Sequence, residues 1–139
     1  MIKNLTIYTD GACRVSTKDG GIGVVFVENN EIVYEFSKHY SNTTNNVMEI
    51  LAVAWAIHAI STPMNSITIV SDSQYVLGCI TKGWKRKKNQ QYWQVFNAEY
   101  TRLKVLCSNI KFEWTKGHDS DKFNNRADKL AVEASHFTS

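Results

Sequence analysis

Apolar and polar residues alternate from Leu5 through Ile7 and Thr9, and the stretch Leu5 to Cys13 is rich in β-branched and aromatic types, which predicts a strand. Leu5, Ile7 and Thr9 share one face of it, and Thr6, Tyr8 and Asp10 share the other. Asp19-Gly20-Gly21 then signals a turn, Ile22 to Val27 a second strand, Glu28-Asn29-Asn30 another turn, and Ile32 to Tyr40 a third strand, so the chain opens as an antiparallel meander. The polar loop from Ser41 to Asn46 carries side chains suited to capping a helix. That helix, about Val47 to Ile60, is apolar on nearly every side, as expected of a central helix buried against a sheet.

Ile67 to Val70 is a short, nearly continuous apolar run, the pattern of a strand covered on both faces. Ser71-Asp72-Ser73 follows at once, and Tyr75, Val76, Cys79 and Ile80 have helical spacing. After a basic break from Lys82 to Lys88, a helix from about Gln91 to Leu106 turns Trp93, Phe96, Tyr100, Leu103 and Leu106 to its apolar side. Ile110 to Trp114 alternates as a last strand, and Phe123 to Ser135 is the last helix. The order βββαβααβα predicts an α/β fold, one five-stranded mixed sheet flanked by helices on both faces.

The 139 residues suit a single domain, with 43% apolar and 21% charged residues as in ordinary globular chains. No apolar run is long enough for a bilayer, and the N-terminal residues lead straight into the first strand without an export signal, so a cytoplasmic monomer is expected. Cys13, Cys79 and Cys107 are odd in number, scattered and without a CxxC pair, which suits buried fillers in a reducing compartment rather than disulfides or a zinc site. A net charge of +3 is compatible with a polyanionic partner without establishing one.

Four acids stand at telling places: Asp10 in the first strand, Glu49 in the first turn of the buried helix, Asp72 at a strand end, and Asp128 beside the apolar stripe of the last helix. Alone, each reads as a cap, a turn residue or a surface ion pair. Together they fall where an open α/β sheet gathers a site, and converging carboxylates would raise one another's pKa values unless a cation joined them. Oxygen-only ligands point to Mg²⁺ or Mn²⁺. Two such ions about 4 Å apart serve in-line phosphoryl displacement. His118, ten residues before Asp128, is placed to move protons or help product leave.

The strings TDGAC, GGIGVVF, TTNNVMEILAVAWAI, SDSQYV and WTKGHDSDKFNNRADKLA, in this order, closely resemble type 1 ribonuclease H nearly end to end. The resemblance implies a ribonuclease H-like fold across 1–139 and an endoribonuclease that hydrolyses the RNA strand of RNA–DNA hybrids, leaving 5′-phosphate and 3′-hydroxyl ends. It implies two Mg²⁺ ions, replaceable by Mn²⁺, on Asp10, Glu49, Asp72 and Asp128, with His118 assisting turnover. It places minor-groove contacts on Asn45, Asn46 and Gln74, a phosphate grip on Thr44, and a further nucleic-acid contact on Asn124. Asn and Gln amides both donate and accept, which suits base edges and the RNA 2′-hydroxyl. Helix capping is the plain alternative for Asn45 and Asn46, nearly as open as a groove contact for Asn45, and both roles can hold at once.

The chain also departs from that pattern. Arg14-Val15-Ser16-Thr17-Lys18 replaces an Asn-Pro-Gly-Pro type loop, so the resemblance does not carry an RNA contact onto Ser16. The extra helix and basic loop of many bacterial members are shortened to KGWKRKK. A solvated loop is the plain reading of that run, yet Trp84, Lys85, Arg86, Lys87 and Lys88 beside Tyr92 and Trp93 are also the mix that neutralises and packs against phosphates. Trp93 fits the core equally well. His39, His58 and His136 are assigned surface or packing roles. Two competing functions share the pattern: a DNA nuclease or resolvase of the same fold, and a non-catalytic hybrid-binding module.

Overall fold

The computed structural model describes residues 3–116 and 121–136. Five strands, β1 (Asn4–Cys13), β2 (Gly20–Glu28), β3 (Glu31–Tyr40), β4 (Ser66–Ser71) and β5 (Ile110–Trp114), form one mixed sheet in the order β3-β2-β1-β4-β5. The β1–β2 and β2–β3 pairs are antiparallel, and β1–β4 and β4–β5 are parallel. The helices are α1 (Asn45–His58), α2 (Gln74–Thr81), α3 (Gln90–Leu106) and α4 (Lys122–Ser135), so the observed order is βββαβααβα.

Parity along the strands decides which helix covers which face. Leu5 and Ile7 of β1, with Val24 and Phe26 of β2, join the core under α1 and α3. Tyr8, Val25 and Val27 face the other way and pack with Phe123 and Ala127 of α4. Asp10 has the parity of Tyr8 and so stands on the α4 side. Ten of the fourteen residues of α1 are buried, because it lies between the sheet and α3.

The approach of α4 to the sheet is set by missing side chains. A Cβ on Gly23, the residue paired with Asp10, would fall 2.2 Å from the carbonyl oxygen of Ala127. Glycine here lets α4 sit against β2, which brings Asp128 to Asp10 of β1. A bidentate ion pair between Arg126 and Glu35 of β3, at 2.6 and 2.9 Å, holds the same helix from its outer side.

Two expectations shift. α1 begins at Asn45 rather than Val47, capped by the Thr44 hydroxyl, which accepts from Val47 N–H at 3.2 Å. Glu49 is therefore the fifth helical residue, in the second turn. Gln74 is the first residue of α2, capped by Ser73. Among the described residues no helix is long and apolar enough to cross a membrane.

Candidate active site

β1 and β4 run parallel at the centre of the sheet, and the site gathers where they end. The last residues paired between β1 and β4 are Thr9 and Ser71, so Asp10, still paired with Gly23 of β2, lies next to the point where Asp72 leaves the sheet. Asp72 occupies the single step between β4 and the Ser73 cap of α2. Ser71 Oγ accepts from Ser73 N–H at 3.1 Å, and Ser73 Oγ from Val76 N–H at 3.1 Å. The indole N–H of Trp114, at the end of β5, donates to the Asp72 carbonyl at 3.2 Å. The second turn of α1 supplies Glu49.

One ligand oxygen from each of Asp10, Glu49 and Asp72 lies within 4.8 Å of the others. Asp10 and Glu49 are buried and Asp72 is half-buried. The backbone N–H of Gly11 donates to both buried carboxyls, at 3.0 Å to Asp10 Oδ1 and 2.8 Å to Glu49 Oε1. Burial pushes the Asp10 carboxyl up to about 11, reinforced by the charge of Glu49, a hydrogen bond with Asp128, and the charges of Asp72 and Asp128. Glu49 is likewise raised well above its ordinary value, by burial first and the Asp72 charge next, against the lowering pull of Gly11 N–H.

Such a group is costly as three bare anions, and it offers only hard oxygen donors. That donor set fits a divalent cation of the Mg²⁺ or Mn²⁺ kind and not a zinc-type His/Cys site. Asp128 stands next to Asp10 and outside the tight trio. His118 lies outside the described residues.

The expected nucleic-acid residues divide. Asn45 and Asn46 are exposed in the first turn of α1, and the capping role falls to Thr44 instead. Gln74 is exposed at the start of α2. Asn46, Tyr75, Lys85, Lys87 and Lys88 line one depression of about 230 Å³, so the structure brings the amide of α1 next to the basic loop. Trp84 is 46% exposed, and Trp93 is a core residue.

Two expectations need correcting. Arg86 does not face outward with the lysines, because its guanidinium lies over the Trp93 ring at 4.4 Å. Asn124 is 2% exposed, and its side-chain oxygen has no partner among the described residues, so it offers no surface to a nucleic acid. The sequence carried the warning: Asn124 is spaced three and seven residues from Ala127 and Ala131, on the buried face of α4. Sequence reasoning also missed the Gly11 amide, the Trp114 indole and Asp121, whose carboxylate caps α4 through Phe123 and Asn124 N–H. Of these only the cap had a local signal, an Asp just before the helix.

A five-stranded sheet of this order, with acids gathered where its central parallel strands part, defines the class: an α/β protein with an acidic site in the middle of its sheet. The family model for RNase H matches residues 2–136. Ribonuclease H of Desulforamulus reducens is 38% identical over 142 residues, spanning 96% of this chain and 88% of the relative. Ribonuclease H of Syntrophus aciditrophicus is 40% identical over 95% of this chain and 80% of the relative, and ribonuclease HI of a Synechocystis species 34% over 94% and 87%. The N-terminal RNase H domain from Mycobacterium tuberculosis shares the fold at a TM-score of 0.79 and 21% identity, covering 96% of this chain and 94% of that one. LC11-RNase H1, solved in complex with an RNA/DNA hybrid, shares it at 0.73 and 24%, covering 93% and 94%. The chain belongs to the ribonuclease H family, in its type 1 branch.

Proposed function

We propose that the protein hydrolyses the RNA strand of RNA–DNA hybrids internally, breaking the P–O3′ bond so that water supplies an oxygen to the 5′-phosphate and a proton ends on the 3′-hydroxyl. The observation that carries this reading is the trio of carboxylates within 4.8 Å, in a chain of this family. Asp10, Glu49 and Asp72, with Asp128 beside them, are the residues that would hold two Mg²⁺ ions, or Mn²⁺ in their place. When bound, the ions supply an activated water and charge stabilisation of the leaving oxygen.

The chain's own residues do the rest. Gly11 N–H orients two of the carboxyls, and Trp114 steadies the backbone of the third. Exposed Asn45, Asn46 and Gln74 present amides to the minor groove, Thr44 sits beside them for a phosphate, and Lys85, Lys87 and Lys88 neutralise the backbone. His118 carries protons at product release. We place the protein in the cytoplasm as a monomer, supported by three cysteines that stand as free thiols.

The test is cleavage of an end-labelled hybrid, with matched DNA and RNA duplexes, with and without Mg²⁺. Mg²⁺-dependent cuts in the RNA of the hybrid alone are expected. Preference for the DNA duplex would favour the resolvase-like alternative, and binding without turnover in either metal would favour the non-catalytic one.

A further inference from the structure

The basic loop joining α2 to α3 spans residues 82–89, and one of its cations is used differently from the rest. Lys85, Lys87 and Lys88 are exposed, whereas Arg86 is half-buried. Its guanidinium carbon lies 4.4 Å from the centre of the Trp93 ring and 5.7 Å from that of Phe96. Its two terminal nitrogens donate in different directions: Nη1 to Asn97 Oδ1 at 2.8 Å on α3, and Nη2 to the Cys79 carbonyl at 3.3 Å on α2. A planar fork lies flat on the indole while two separate nitrogens reach acceptors on different helices; a lysine ammonium, a single point charge, cannot keep all three contacts in this geometry.

Other contacts hold the loop at its ends. Trp84 N–H donates to the Gly78 carbonyl at 3.2 Å, and the Trp84 ring lies on the Cα of Gly78. At the far end, Asn89 takes a left-handed conformation, with φ of 63°. Its amide donates to the Tyr75 hydroxyl at 3.3 Å, which also accepts from Trp93 Nε1 at 3.2 Å. Between these ends, Arg86 ties the middle of a strongly like-charged run to both helices.

We propose that Arg86 is a positioning residue for substrate binding: it contacts no phosphate, and it holds the backbone so that Lys85, Lys87 and Lys88 stand around the depression shared with Asn46. The inference rests on the reading of those lysines as hybrid contacts. It separates charge from geometry, because a lysine at position 86 keeps the first and loses the second.

Steady-state cleavage of a hybrid by Arg86→Lys, Arg86→Gln, Asn97→Ala and the double variant Lys87→Ala/Lys88→Ala tests it, with thermal melting to confirm folding. Both Arg86 variants are expected to raise KM by about five- to tenfold with little change in kcat, and Arg86→Lys no less than Arg86→Gln. Asn97→Ala, which alters no charge, is expected to raise KM by a smaller factor in the same direction. It also serves as the reading should the Arg86 variants fold poorly. A wild-type KM in Arg86→Lys, or in Asn97→Ala, overturns the positioning role. A wild-type KM and salt dependence in the double lysine variant instead removes the loop contact beneath it, and the proposal with it.

Discussion

The backbone N–H of Gly11 donates to Glu49 Oε1 at 2.8 Å, joining the end of β1 to α1 across 38 residues of chain. The contact requires that position 11 lack a side chain. A Cβ there would lie 2.5 Å from both the Glu49 nitrogen and the Met48 carbonyl carbon, and backbone atoms cannot yield as a flexible side chain does. Gly11→Ala must therefore push the start of α1 away from the strand. We expect a loss of about 2 kcal/mol in stability and a drop in kcat of at least about tenfold, since the Glu49 carboxyl moves with its helix. Urea unfolding and cleavage kinetics measure the two, and a variant with wild-type kcat would mean that Glu49 tolerates displacement.

The raised Asp10 and Glu49 carboxyls make the cation-free protein sensitive to alkali. A carboxyl whose folded pKa exceeds its unfolded value binds more protons when folded, so its contribution is fully present below the unfolded pKa near 4 and fades as pH rises toward the folded one. In EDTA, melting temperature should fall steadily from pH 5 to pH 9. Asp10→Asn removes a carboxyl that must take up a proton to be buried, and its stability should exceed that of the wild type by a margin that grows with pH, by about 2 kcal/mol at pH 8. Mg²⁺ should close the gap by stabilising the wild type alone. Cleavage by the variant should be lost. Equal melting curves for the two proteins in EDTA at pH 8 would contradict the electrostatic account.

Glu35 shifts the other way. The hydrogen bonds from Arg126 hold its carboxyl below the usual range. Its contribution is therefore present above the unfolded pKa near 4 and is lost as pH falls through the lowered one. Both side chains are about one-third exposed, so solvent screens the pair and it contributes about 0.5–1 kcal/mol. Glu35→Gln should lower the melting temperature at pH 7 and become indistinguishable from wild type in strong acid. A variant as stable as wild type at pH 7 would show that the ion pair adds nothing to the seating of α4.

How much of this was legible beforehand depends on how local each cause is. Hydrophobic patterning placed every element, by alternation in β1 and β5 and by continuous apolar runs in β4 and α1, and β5 agrees with its expected span, because burial is written along a single segment. The acids were found because strand ends and helix starts are visible in sequence. Helix α1 began two residues early since its cap is Thr44, with Asn45 and Asn46 already helical, and polar residues in a row do not say which of them turns the chain. Arg86 could not be told from Lys85 or Lys87, because what turns it inward is Trp93 and Asn97 on the next helix. Gly11 and Trp114 act through a backbone N–H and an indole aimed at atoms dozens of residues away, which no spacing rule reports.

Trp114 offers the sharpest separation of packing from polarity near the site. Its Nε1–H donates to the carbonyl of Asp72, the acid held in the single step between β4 and α2. Trp114→Phe keeps an aromatic ring at the end of β5 and removes only the donor. A hydrogen bond of this kind contributes about 1 kcal/mol, and its loss frees the Asp72 backbone to sample positions away from Asp10 and Glu49. We expect kcat to fall by about fivefold and the Mg²⁺ concentration for half-maximal rate to rise, with melting temperature nearly unchanged. Trp114→Ala should show the same metal dependence plus a loss of stability from the missing ring. If Trp114→Phe matches wild type in both rate and Mg²⁺ response, Asp72 is positioned by Ser71 and Ser73 alone.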